Sequence, residues 1–288
     1  MTSSAAAPRL LSVGDIELCI QEFGNAGSPT VLLLAGAAAS MDWWDVSLCE
    51  AIAAGGRHVV RFDYRDTGRS TTGEPGKPWY GGDVGDRDAI GLLEALDRGP
   101  AHLVGISMGG GIAQSVALKR PDLVASLTLV GTTAVGGLDS PLPGPEPALA
   151  ATFENPPPDP DWSDRESVIV WYVQGERNVA GSIPVDEARV REIAGMVFDR
   201  SINPASAGNH WLVAGDGDGE ELDVRRIMAP TLVVHGTRDP LFPLPHGEAL
   251  AEAIPGATLL AVEGMGHQVP PESSWPVLVP ALLEHTAR

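Results

Sequence analysis

Ser107 sits in Gly105-Ile-Ser-Met-Gly109, directly after an apolar run that begins near His102 and directly before a stretch able to form a helix. Such a strand-to-helix turn exposes a hydroxyl and lets neighbouring backbone approach through its small flanks. It also aims the first helical N–H groups at any anion that develops there. The five-residue pattern alone is weak in a chain with 34 glycines, so the flanking elements carry the weight. A serine hydroxyl needs a base, and the base needs a carboxylate to orient it. Among seven histidines, His267 follows Gly264-Met-Gly266 in a flexible exit after the last apolar run. His58, His102 and His235 read as strand-end or core residues, His246 and His285 as helix-end residues, and His210 as part of a central insertion. Asp239 is the expected acid, four residues beyond the apolar run 231–235, at the sheet edge where reactive groups of parallel sheets gather. Asp63, Asp66 and Glu263 compete for that role. The first two precede Ser107 in the chain, and Glu263 stands beside His267 in sequence, so Asp239 fits the order serine, acid, histidine best.

A developing oxyanion needs two fixed donors. The amide of Met108 is one, and Ala37, in the loop after the apolar run 31–35, is placed to supply the other. Other chemistries fail on spacing. Ser107-Met-Gly-Gly-Gly111 lacks the Gly-Lys-Ser/Thr ending of a phosphate loop, and no zinc spacing is present. The acidic run 215–221 lacks the ligand spacing of a calcium loop and reads as a solvated loop. No metal and no cofactor is expected.

The elements that must position these residues alternate. Strands are expected at 16–23, 31–35, 58–63, 102–107, 127–130, 231–235 and 258–262. Helices are expected at 41–54 with Ser40 as its cap, and at 86–97, 108–120, 247–253 and 274–285. Residues 65–70 read as a polar turn. Alternation of this kind predicts an α/β fold with a mostly parallel sheet covered on both faces. Residues 134–223 break the pattern with Pro- and Gly-rich segments between helical stretches. The chain therefore divides into a core, 1–133 and 224–288, and a helical insertion, 134–223. Trp162, Trp171, Tyr172, Phe198 and Trp211 of the insertion, with Gly36, Trp43 and Trp44 near the loop after 31–35, are expected to line an apolar pocket. Packing of the insertion is the competing use of each aromatic.

The chain has 288 residues with 43% apolar and 20% charged, enough for a sizeable core and against global disorder. Its formal net charge of −19 repels phosphate backbones and anionic lipid heads, which disfavours nucleic-acid and membrane partners. Cys19 and Cys49 form no disulfide framework, and no apolar run approaches the roughly 20 residues of a membrane helix. Residues 1–13 lack signal-peptide character, so a cytoplasmic setting is expected.

In order and spacing these residues resemble the α/β-hydrolase superfamily over nearly the whole chain except the insertion. The stretch Asp63–Ser70, the turn at Ser107 and Arg238-Asp-Pro240 with Pro245-His-Gly247 resemble anthracycline (aclacinomycin-type) methylesterases in particular. One departure is visible: Gly36-Ala37-Ala38 stands where those esterases carry Gly-Gly-Asn. The resemblance implies an eight-stranded sheet with a helical cap, Ser107 as nucleophile, His267 as base, Asp239 as orienting acid, and Ala37 and Met108 as oxyanion donors. The expected activity is hydrolysis of a carboxylic ester through an acyl-enzyme, on a small apolar or aromatic substrate such as the methyl ester of an aromatic polyketide. Thioesterase, lactonase, C–C bond hydrolase and cofactor-free perhydrolase chemistry can use the same triad. Epoxide hydrolases and dehalogenases of the usual type carry Asp where Ser107 stands. Outside catalysis, a ligand-binding protein on a hydrolase scaffold is the alternative.

Overall fold

A computed structural model describes residues 5–213 and 221–287. Its described strands form one eight-stranded sheet: β1 (Arg9–Val13), β2 (Ile16–Phe23), β3 (Thr30–Leu34), β4 (His58–Phe62), β5 (Ala101–Ile106), β6 (Val124–Val130), β7 (Thr231–Gly236) and β8 (Thr258–Val262). The spatial order is β1-β2-β4-β3-β5-β6-β7-β8. Strands β1 and β2 pair antiparallel with each other, and β2 with β4; every pairing from β4 onward is parallel. The central strands are buried along their whole length, which is why β3 is a continuous apolar run rather than an alternating one.

Between the strands lie α1 (Val46–Ala54), α2 (Val84–Leu96) and α3 (Met108–Lys119), and towards the C-terminus α8 (Pro245–Ala253) and α9 (Trp275–His285). Helix α1 packs with α9, and α2 with α3. The chain runs from β3 outward to β4 and then returns to place β5 on the other side of β3. Right-handed crossovers in the two directions put their helices on opposite faces and leave a crevice at the C-terminal ends of β3 and β5. The loop after β3 and the turn after β5 meet there. Leu34 is paired with Gly105 across the two strands, so the residues that follow each are neighbours.

Between β6 and β7 the described chain is helical: α4 (Pro147–Glu154), α5 (Arg165–Val179), α6 (Glu187–Arg200), a 3-10 turn at Pro204–Gly208 and α7 (Asn209–Val213). Helices α5 and α6 form a hairpin whose apolar faces build a second small core, with Ile169, Val173, Ile193 and Val197 closed over by Trp43. Arg200 at the end of α6 reaches into the core and pairs with Asp63 at 2.8 Å and Asp42 at 3.0 Å. Burial works against the Arg200 charge, but the two carboxylates outweigh it and raise its pKa.

One local expectation changes, one strand is added to those expected, and one expected turn proves to be buried. The helix expected over 41–54 is two elements. Ser40 caps a 3-10 turn at Met41–Trp43, and Asp45 then accepts from Ser47 N at 2.7 Å and starts α1 afresh. A cap-forming side chain inside the window breaks the helix. Strand β1 is additional to the seven strands expected from the apolar runs. The turn at 65–70 is polar yet buried, because its side chains bond the chain itself. Asp66 accepts from Tyr80, Asn209 and Gly73, and Ser70 donates to Asp63 O. The expected acidic loop falls largely on residues 214–220, outside the described residues.

Candidate active site

Ser107 stands between β5 and α3 at φ 54°, ψ −120°, a conformation that favours glycine. Its neighbours show why they are glycines: a Cβ on Gly105 would lie 2.2 Å from Gly109 O, and one on Gly109 would lie 2.3 Å from Leu34 O. The turn is pinned by Ser107 N bonding Val130 O and by Thr132 Oγ1 donating to Ser107 O.

His267 reaches this serine across the crevice. Its Nε2 is 2.9 Å from Ser107 Oγ and its Nδ1 is 2.8 Å from Asp239 Oδ2. A carboxylate can only accept, so Nδ1 carries the ring proton and Nε2 accepts from the serine hydroxyl. Asp239 is 2% exposed, and its other oxygen accepts from the amides of Leu241 and Phe242 at 2.9 and 2.8 Å. Those two amides fix the carboxylate so that its remaining oxygen is held towards His267. The whole relay can carry a proton from Oγ to Nε2 while Asp239 balances the resulting imidazolium.

The loop after β3 lies against this serine, for a Cβ on Gly36 would be 3.7 Å from Ser107 Cβ. Ala37 and Met108 both line the cavity in which Ser107 opens, and among the described residues neither amide donates a hydrogen bond. Two unpaired N–H groups on residues that share a cavity wall with Ser107 are available to an oxyanion.

That cavity is about 680 Å³. Its apolar wall includes Met108, Ile112, Phe153, Trp211, Val213, Leu241 and Phe242. The charged wall groups are matched internally: Arg65 forks onto Asp88, and Asp86 takes Lys119 and Ser115. Phe153 and Trp211 are 59% and 62% exposed and stand at its open end. Five sequence candidates for the pocket fall in different places. Gly36 lies against Ser107 and Trp211 at the mouth. Trp43 packs into the α5–α6 core against Tyr172, and Trp44 is buried in the main core. Trp171 packs on Trp162 and Tyr172. Trp43, Trp44 and Trp171 do not line the cavity, because each is consumed in joining helices to one another or to the core.

The competing acids are elsewhere. Asp63 holds Met41 N, Arg69 N and Arg200, Asp66 fixes the buried turn, and Glu263 faces solvent. Two histidines near the site carried no local signal. His235, read as a strand-end residue, donates from Nε2 to Phe242 O at 2.7 Å and so braces the loop that presents Asp239; burial lowers its pKa. His210, from the insertion, lines the cavity.

A sequence-family profile described as the alpha/beta hydrolase fold matches residues 29–273. The chain belongs to the α/β-hydrolase fold family. This α/β hydrolase is 30% identical to rhodomycin D methylesterase of Streptomyces sp. (strain C5), over 96% of this chain and 97% of that one. It is 29% identical to rhodomycin D methylesterase of Streptomyces peucetius, again over 96% and 97%. Its backbone matches 2-hydroxy-6-oxo-6-phenylhexa-2,4-dienoate hydrolase of Rhodococcus sp. strain RHA1 at a TM-score of 0.76 and 21% identity, over 99% of this α/β hydrolase and 100% of that chain. Among the described residues no helix is long and apolar enough to cross a membrane.

Proposed function

We propose that this ester hydrolase is a serine esterase acting through an acyl-enzyme on the methyl ester of a polycyclic aromatic compound. Ser107 Oγ attacks the ester carbonyl as its proton passes to His267 Nε2. The Ala37 and Met108 amides hold the tetrahedral oxyanion, and Asp239 keeps His267 in the required tautomer and balances its positive charge. His267 then protonates the departing alkoxide, the C–O bond breaks, and the acyl group stays on Ser107. Water, deprotonated by the same His267, frees the acid and restores the serine.

The observation that carries this reading is the unbroken hydrogen-bonded relay Asp239–His267–Ser107 at the wall of a largely apolar cavity. Similarity to proteins named rhodomycin D methylesterases supports the substrate class, as does a mouth built from Phe153 and Trp211. In this reading the described residues of the insertion 134–223 form a cap over the core, and α4 and α7 shape the entrance.

Fluorophosphonate labelling with peptide mapping tests the mechanism on wild type, Ser107→Ala and His267→Ala. Label is expected on Ser107 of wild type and absent from both variants; label retained by Ser107→Ala would remove the assignment. A panel of methyl esters, thioesters, lactones and vinylogous diketones then sorts the substrates. Trp211→Ala should raise KM for a tetracyclic aromatic methyl ester by about tenfold, the value of one buried aromatic face, with less effect on a small acetate ester.

A further inference from the structure

The loop that presents Ala37 is a turn over Gly36–Ala39, closed by a long Ala39 N to Gly36 O bond of 3.3 Å. Its second central residue, Ala38, has φ 58°, in the left-handed region that a Cβ disfavours. A turn of this kind with alanine where glycine or asparagine would be at ease needs an external support to keep one peptide orientation. The support comes from far along the chain. Ala38 N donates to His210 Nδ1 at 3.0 Å, across 172 residues of sequence. His210 Nε2 lies 2.9 Å from Arg65 O, a group that only accepts, so Nε2 carries the proton and Nδ1 is the acceptor that the amide requires.

His210 is itself over-determined. It is 6% exposed, and Tyr64 packs edge-on against its ring while the Tyr64 hydroxyl donates to Ala35 O, at the start of the same loop. Its chain neighbour Asn209 is locked by bonds to Asp66, Glu74 O and Gly76 N. Burial lowers the His210 pKa, outweighing the bond to the Arg65 carbonyl and the nearby carboxylates of Asp66 and Asp88, so the neutral ring keeps its acceptor.

We propose that His210 is a positioning residue for the oxyanion site, holding the Ala38 amide so that the turn keeps Ala37 N–H aimed at the carbonyl carried by Ser107. The proposal rests on the esterase reading above. It assigns the insertion a part in the chemistry itself, since one of its side chains completes the donor loop of the core.

The test separates the two hydrogen bonds of the ring. His210→Asn places an acceptor where Nδ1 stands, and His210→Gln reaches the Nε2 position but leaves Ala38 N–H unmatched; His210→Phe keeps ring bulk with neither. For each, kcat and KM with a p-nitrophenyl ester, Ki for an aryl trifluoromethyl ketone and Tm are measured. The ketone adds Ser107 Oγ to its carbonyl and becomes a tetrahedral alkoxide in the oxyanion site. Gln and Phe should lower kcat and raise Ki together by at least about tenfold, with KM within about threefold, a fraction of what loss of a whole donor causes. Asn should recover kcat and Ki to within about threefold of wild type. Asn losing as much as Gln, or Gln matching wild type, would overturn the proposal; if the Phe variant does not fold, the Asn and Gln pair decides alone. Wild type that takes no label at Ser107 would instead remove the esterase reading. Labelled wild type with indifferent His210 variants would remove only this one.

Discussion

Ser107 holds a backbone conformation at φ 54° that costs an ordinary side chain on the order of 1–3 kcal/mol. Such strain persists only where its surroundings impose it, here through the close passage of Gly105 and Gly109 against neighbouring backbone. Ser107→Gly is therefore expected to raise stability by about 1 kcal/mol in urea unfolding while abolishing ester hydrolysis. A variant that loses stability would mean that the turn is not strained. Ser107→Ala and His267→Ala should each lower kcat by about 10⁴-fold or more, with little further loss when combined, because the two act as one unit. Asp239→Asn can keep both amide bonds from Leu241 and Phe242 on its oxygen but then turns an NH2 towards His267 Nδ1, the wrong tautomeric partner, so a loss of about 10³-fold is expected from steady-state kinetics.

At the scale of elements, the histidine loop and the insertion are built against each other. His267 N bonds Val179 O, and the amides of Ser182 and Ile183 bond Gly264 O. A Cβ on Gly266 would lie 2.2 Å from Gly181 N, which explains a glycine beside His267 better than flexibility does. The second anchor is ionic. Arg200 of α6 covers Asp63, which has no solvent exposure, and Asp42. Arg200→Ala leaves both carboxylates buried without their cation and should cost about 3 kcal/mol in chemical unfolding. The pairs Arg165–Asp199 and Arg177–Glu187 on the outside of the α5–α6 hairpin are solvent-exposed, and removing either should change stability by less than about 1 kcal/mol. Equal losses from the inner and outer pairs would contradict this division.

Across the whole molecule, stability is linked to pH through histidines buried in neutral form. His102 in β5 bonds Ser126 Oγ at 2.8 Å, and burial lowers its pKa to about 4, with the Arg57 charge acting in the same direction. An unfolded histidine titrates near 6.5, so below that pH the unfolded chain takes up a proton that the fold refuses. This contribution to stability is complete above about pH 6.5 and is lost as the pH falls towards 4. His102→Gln should therefore flatten the fall of Tm between pH 6.5 and 4 relative to wild type; an unchanged slope would exclude the link. What sequence by itself determined is the set of features written in local pattern. The strand runs, the glycine-flanked serine after β5, the acid after β7 and the histidine after β8 each depend on spacing within about ten residues. Their order along the chain suffices for the family resemblance, because parallel strands bring their C-terminal ends to one edge. Only the tertiary structure decided which aromatic residues meet the cavity, why the turn at 65–70 is buried, and that His210, Arg200 and the 179–183 segment brace the site. Those choices rest largely on contacts between residues eighty or more positions apart, or on which face of a helix finds a partner. A tryptophan that fills a helix interface and one that lines a pocket satisfy the same hydrophobic demand, so no local pattern distinguishes Trp43 from Trp211.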